Sequence, residues 1–203
     1  MRYLYSGMLE LKLCGREEVE VAARLLIKAH APTDATLQDV QDFYLPRLTG
    51  IFSHSLSSSD SSRVIILGMA PDGVVHAAYE LPRIVQLDGI LTLPRGYIAT
   101  DPVNQGLGTE FFNGVTRLFE QVAFEIGQPV VHAPQASFRH TADFFLKRGY
   151  ALIREEEGLP TATYHLKRRI MPVHHGLRRD ETAIVSSIMQ VSSLEPANRV
   201  PSR

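Results

Sequence analysis

"YIATDPVNQGLGTEFF", residues 97–112, reads as the end of a strand, a loop carrying Gly106-Leu107-Gly108, and the first turns of a helix. A helix leaves its first backbone amides without intrahelical acceptors, and its dipole concentrates positive charge at the same point. Glycines there let a ligand come close to the backbone, so the stretch suits an anion such as a phosphate. A single Gly-x-Gly turn also serves as a plain tight connection, so the surrounding pattern has to decide between the two.

Upstream of the turn, "RVIILGM", "VVHAAYELPRIVQ" and "ILTLPRGYIAT" read as three strands joined by hairpins through "APDG" and "LDG". Downstream the period changes from two to 3.6: Phe112, Val115, Leu118, Phe119, Val122 and Ile126 form one stripe, and Gly127 stops the helix. The strand "PVVHA" comes next, then the helix "SFRHTADFFLKRG" ending at Gly149, then the strand pair "YALIRE" and "TATYHLKRR". At the other end, "LELKLC" alternates as a strand, and "REEVEVAARLLIKAH" puts Val19, Ala22, Ala23, Leu26 and Ile27 on one helical face. Leu37 to Phe52 carries helical spacing interrupted by Pro46, and "SHSLSSSDSSR" is a serine-rich loop. After about Ile170 the periodicity decays. Residues 170–203 are expected to be a flexible tail, with room for a short helix at "AIVSSIMQV", behind a single domain over residues 8–169.

Composition narrows the function classes. With 203 residues, 44% apolar and 21% charged, the chain can bury one full core. A formal net charge of -1 gives no bulk attraction to nucleic acid or acidic lipid. From Leu166 to Arg203 seven Lys/Arg stand against three Asp/Glu, but no aromatic interleaving accompanies them, so nucleic-acid binding is not expected. The longest apolar runs, "VIILGMA" and "GVVHAA", are far short of a membrane span, and "MRYLYSGMLELKLCG" lacks a continuous signal-peptide core. The expectation is a cytoplasmic protein without a membrane partner. Cys14 is the one cysteine and reads as a small buried apolar residue. His174-His175 has no second ligand pair at useful spacing, so no metal site is expected.

The known phosphate loops with a P-loop lysine or a third dinucleotide-spaced glycine do not match, and both belong to folds that alternate single strands with helices. The order strand, two helices, three-strand meander, glycine turn, helix, strand, helix and final hairpin resembles the GCN5-related N-acetyltransferases over about residues 8 to 168. The fold this implies is mixed α/β (α+β), with a central, mostly antiparallel sheet flanked by helices and splayed at an acetyl-coenzyme A site. In that family the loop has the form Arg/Gln-x-x-Gly-x-Gly/Ala and binds the cofactor's diphosphate through its amides. Val103 falls at the Arg/Gln position here, with Gly106 and Gly108 at the small positions. The resemblance thus implies acetyl-coenzyme A as cosubstrate and a binding segment of Ile98, Thr100, Val103, Asn104, Gln105, Gly106, Leu107, Gly108 and Thr109.

"TADFFLKRGY" is similar to the family's later helix and the strand after it, with Phe144-Phe145, the charged pair Lys147-Arg148, and Gly149-Tyr150. The tyrosine that often protonates the departing thiolate aligns with Phe145, which has no proton to give. Tyr150 carries a hydroxyl nearby and is a candidate acid, with core packing as its alternative role. Glu80, near the end of the third strand, and His132 are candidate bases for the acceptor amine. Each also has a structural reading, as a strand carboxylate or a hydrogen-bonded core histidine. The implied reaction moves an acetyl group to an amine on a small molecule or a protein. The acceptor would meet Leu37–Ser62 and Glu155–Thr163, whose acids Asp39, Asp42, Asp60, Glu155, Glu156 and Glu157 suit a cation or simply face solvent. The alternative from another class is a non-catalytic module that keeps the fold to bind coenzyme A or a macromolecule. The patch "AIVSSIMQV" is the candidate surface for a homodimer.

Overall fold

Alternation of apolar and polar side chains sets the first strand, β1 (Glu10–Leu13), which pairs antiparallel with β2 (Arg63–Met69) from Leu11 opposite Gly68 to Leu13 opposite Ile66. The computed structural model describes residues 9–30, 63–87, 89–93, 97–100, 106–136, 139–157 and 162–194. The kinked helix and serine-rich loop expected between Leu37 and Ser62, with Asp39, Asp42 and Asp60, lie outside the described residues.

β2 is almost wholly apolar because both of its faces are covered. Val64 and Ile66 join one core cluster, while Ile65 and Leu67 join another with Ala22, Ala23 and Leu26 of α1 (Val19–His30). Cys14 lies in that second cluster, 6% exposed, and burial pushes its thiol pKa up to about 12, so it is an inert core residue as its sequence context implies.

The pairing of the first two strands of the meander shifts register between Gly68 and Met69, whereas the strands that follow keep a single register. β2 pairs with β3 (Val75–Pro82) through the turn at Gly73. Ala77 stands opposite Thr100 and Glu80 opposite Tyr97, which pairs β3 with β6 (Tyr97–Thr100). Val85 opposite Thr92 and Leu87 opposite Ile90 pair β4 (Val85–Leu87) with β5 (Ile90–Leu93). The expected second and third strands are therefore each present as two segments, and the two halves of the hairpin belong to different sheets. One sheet has the order β1-β2-β3-β6. The other contains β4, β5, β7 (Val130–His132), β8 (Gln135–Ala136), β9 (Ala151–Glu156) and β10 (Thr163–Ile170). β5 and β7 run parallel, and every other pairing among the described residues is antiparallel.

α2 (Leu107–Glu125) buries Phe111, Phe112, Val115, Leu118, Phe119 and Val122 against both sheets. It lies close to them because Gly68 of β2 leaves room for the Phe111 ring, and Gly114 leaves room for Leu11. α3 (Arg139–Leu146) turns Ala142 and Phe145 into a smaller cluster with Phe112, Tyr150, Tyr164 and Leu166.

Of the stretch expected as a flexible tail, the described residues 170–194 are structured. α4 (Arg179–Val191) packs on β1, β2 and α2, and Ile184 and Ile188 are fully buried within the main core. Its first turn is closed by the Arg178 amide donating to Glu181 Oε2 at 2.8 Å. Beyond its end, Ser192 Oγ accepts the Ile84 amide at 2.8 Å. Burial of Ile184, Val185, Ile188 and Met189 outweighs the loop-forming tendency of the flanking serines, which is what the local pattern could not convey. No helix among the described residues is long and apolar enough to cross a membrane.

Candidate active site

The two sheets part beside the glycine turn. β5 and β7 are paired at Thr92–Val131 and Leu93–His132, and the Ala133 amide still donates to Leu93 O at 2.9 Å. Beyond that point β6 pairs with β3, whereas β8 pairs with β10. The hydrogen-bonding edges therefore diverge, and α2 begins after β6.

Gly106 caps α2 with φ 82° and ψ -15°, in the left-handed region. The amides of Thr109 and Glu110 both return to Gly106 O, at 3.0 and 3.2 Å. Helix geometry leaves the amides of Leu107 and Gly108 without intrahelical acceptors, pointing along the axis with the positive dipole end. Among the described residues a Cβ on Gly106 would meet nothing within 4 Å, and the φ of 82° is what calls for a glycine. A Cβ on Gly108 would stand 3.7 Å from the side chain of Thr100 at the end of β6. Leu107 is buried in the main core and holds the turn down. Of the expected binding segment, Ile98 and Thr100 lie on β6 and Gly106 to Thr109 form the start of α2; Val103, Asn104 and Gln105 lie outside the described residues.

His132 and Tyr150 come together; Glu80 stands apart from them. His132, fully buried at the end of β7, lies between two tyrosine hydroxyls. Its Nε2 is 2.9 Å from Tyr79 Oη and its Nδ1 is 2.6 Å from Tyr150 Oη. Burial, with a smaller push from the charge of Arg168, lowers the His132 pKa to about 3, so the imidazole is neutral at physiological pH. A neutral ring has one N–H and one bare nitrogen, so one tyrosine donates to it and the other accepts from it. Desolvation raises both tyrosine pKa values, which keeps their protons on oxygen. Tyr79 belongs to one sheet and His132 to the other, so this chain of hydrogen bonds staples the sheets below the place where they part. Sequence reasoning missed Tyr79; its signal was the large polar-tipped aromatic at an inward position of an apolar strand.

Glu80 is 1% exposed. Strand alternation sets it on the face opposite Tyr79, beside Ala78, which belongs to the cluster under α1. Phe145 is buried at 2% exposure, and its ring centroid lies 5.2 Å from that of Tyr150. A second residue missed by sequence reasoning is Arg148. Its guanidinium donates to the hydroxyl of Thr109 in the first turn of α2 and lies 3.6 Å from the centroid of the Phe144 ring. Glu155, Glu156 and Glu157 are exposed on and just beyond β9, where Glu156 pairs with Arg154 and with His165.

No protein-family model matches the chain, and no curated protein matches it by sequence. Solved structures do match. A protein from Rhodopseudomonas palustris described as a GCN5-related N-acetyltransferase is 18% identical, covers 82% of this chain and 99% of its own, and superposes with a TM-score of 0.54. The ribosomal-protein-S18-alanine N-acetyltransferase of Escherichia coli is 12% identical, with 84% and 99% coverage and a TM-score of 0.55. An apo nucleotide-linked sugar acetyltransferase of the same superfamily is 10% identical, with 92% and 94% coverage and a TM-score of 0.56. Parted sheets, a left-handed glycine opening the long helix, and these superpositions agree: the chain has the fold of the GCN5-related N-acetyltransferases.

Proposed function

We propose that the protein is an acetyl-coenzyme A dependent N-acyltransferase acting on a primary or secondary amine in the cytoplasm. The observation that carries this reading is the parting of the two sheets beside the first turn of α2, which opens at Gly106 in a left-handed conformation. That turn suits a diphosphate: first-turn amides and the helix dipole favour an anion, and among the described residues nothing lies within 4 Å of a Cβ built on Gly106. When bound, acetyl-coenzyme A supplies an activated acyl group as a thioester. Leu107 and Gly108 would hold its diphosphate through their first-turn amides, with Thr109 beside them and Thr100 lining the other side of the turn.

The remaining steps fall to this chain's side chains. An amine attacks only when neutral, so a base must take its proton, directly or through water. Glu80 is assigned this role, as the carboxylate of β3 that faces away from the His132 chain. His132 is less suited to it, since both ring nitrogens are engaged by tyrosines and burial keeps its basicity low. We assign His132 the positioning of β7 against β3. Phe145 cannot protonate the leaving thiolate, and the Tyr150 hydroxyl is turned to His132. The thiolate therefore leaves as the anion or takes a proton from water, which a thiol pKa of about 8.5 permits.

Neighbours of the same fold are described as acetylating an alanine of a ribosomal protein and a nucleotide-linked sugar, so the fold alone does not select the acceptor class. Calorimetric titration with acetyl-coenzyme A, followed by thiol release over a panel of polyamines, amino sugars and peptide N-termini, tests the reading. Micromolar binding with amine-dependent release supports it. Binding without release on any amine selects the non-catalytic coenzyme A module, and absence of binding overturns both.

A further inference from the structure

Arg148 occupies the point where α3 ends and the α2 turn begins. Its backbone is pinned: its amide donates to Phe145 O at 2.9 Å, its carbonyl accepts Arg168 Nη1 at 3.1 Å, and the next residue, Gly149, has φ 79°. The guanidinium is stacked on Phe144, donates through Nη1 to Phe144 O at 2.8 Å, and donates through Nη2 to Thr109 Oγ1. Its Nε is buried and has no hydrogen-bond partner among the described residues. Burial lowers the pKa of this arginine, the mark of a cation held where water solvates it poorly. The same Phe144 ring comes within 4.0 Å of a Cβ built on Gly108. Phe144, Arg148, Thr109 and Gly108 are therefore one contiguous wall at the first turn of α2.

A guanidinium stacked against Phe144 and partly desolvated there is stabilised by an anion far more than by another neutral group. The position where similar loops carry an arginine or glutamine holds Val103 in this chain, which has neither charge nor donor. We propose that Arg148 supplies from the turn after α3 the positively charged contact to the coenzyme A diphosphate that Val103 does not provide, with Thr109 Oγ1 fixing the guanidinium against the α2 turn. The proposal rests on the reading of the α2 turn as the acetyl-coenzyme A site. The cation thus reaches the same anion from another element, which preserves the electrostatics of the site after the loop side chain has changed.

The test is the dissociation constant of coenzyme A, and of 3′-dephospho-coenzyme A, measured by calorimetry on wild type, Arg148→Gln and Arg148→Lys. Loss of one charge-assisted contact should weaken both ligands by a similar factor, about tenfold to a hundredfold, in Arg148→Gln. Arg148→Lys keeps the charge but loses the fork stacked on Phe144, so it should bind more tightly than Arg148→Gln and more weakly than wild type, and it carries the test should the glutamine variant fail to fold. Equal affinity in wild type and Arg148→Gln overturns the role of Arg148 while leaving the site intact. A loss seen with coenzyme A and absent with the dephospho form places the contact on the 3′-phosphate and overturns the assignment to the diphosphate. Wild type that binds neither ligand overturns the reading of the turn itself.

Discussion

His132 shows how one side chain links stability to pH. Its pKa is lowered from an ordinary histidine value to about 3 in the fold, first by burial and then by Arg168. The unfolded chain therefore takes up a proton below about pH 6.5 that the folded chain refuses until near pH 3. The stabilisation is fully present above the unfolded value and falls on acidification through this window, at up to about 1.4 kcal/mol per pH unit. Glutamine can donate and accept but cannot titrate, so the stability difference between wild type and His132→Gln should shrink from pH 7.5 to pH 5 in denaturant titrations. A difference that holds constant over that range assigns the acid sensitivity to other groups. Tyr150→Phe should cost about 1–2 kcal/mol, since it strips a partner from a buried ring nitrogen. Its kcat should stay near wild type, because the hydroxyl faces His132; a folded variant with normal cofactor affinity and no turnover would hand Tyr150 the acid role. The sequence marked His132 and Tyr150 as chemistry-bearing but not as partners, because the bond joins a strand end to a helix exit. Its other half, from Tyr79, spans sheets that only long-range pairing brings together.

At the scale of elements, the turn between β6 and α2 was legible because its constraint is local. Gly106 needs a positive φ, and the apolar stripe from Phe112 onward marks the helix that the turn opens. The two glycines separate into different roles, which spacing alone does not reveal. Gly106→Ala should cost about 1 kcal/mol of stability through its left-handed φ. Gly106→Val should in addition weaken acetyl-coenzyme A binding more than tenfold by placing a branched side chain at the turn proposed to hold the diphosphate. Gly108→Ala should be nearly neutral in thermal melts, because Gly108 is helical and the added Cβ meets Thr100 at ordinary contact distance. Equal destabilisation by alanine at both positions would contradict this division. The strand pattern was legible too, and the hairpin from Val75 to Thr100 keeps the register expected of it. What the period of two could not show is that the arms change sheets midway, since the inward and outward alternation continues across the change.

The whole molecule depends on a segment whose local pattern reads as loosely held. α4 presents Ile184, Val185, Ile188 and Met189 in a helical stripe, but serines at 186, 187, 192 and 193 and prolines at 172 and 196 dilute it. Its stability comes from contacts more than a hundred residues away: β1 and β2 receive the stripe, the Ile84 amide donates to Ser192 Oγ, and Arg178 donates to Glu10 at 3.2 Å. The linker before it is tied to α2 as well, with the His175 amide on Gln121 Oε1 at 2.7 Å and His175 Nε2 within 2.8 Å of Glu120 Oε2. A patch expected to be available for a second copy is thus consumed inside the protomer, where it covers the face of β1 and β2 that α2 leaves bare. Removing residues 170–203 would expose that face along Leu9, Leu11, Val64 and Ile66. Each large apolar side chain returned to water costs about 1.5–3 kcal/mol, and the losses on both sides of the interface together approach the whole stability of a domain this size. A chain ending at Arg169 should therefore lack a cooperative thermal transition and bind a hydrophobic dye, although the α2 turn lies elsewhere. The milder Ile188→Ala should stay folded and lose about 2–5 kcal/mol in urea unfolding with an unchanged m-value. If instead the truncated chain melts cooperatively near the full-length temperature and still binds acetyl-coenzyme A, α4 is an accessory to the fold and the core closes without it.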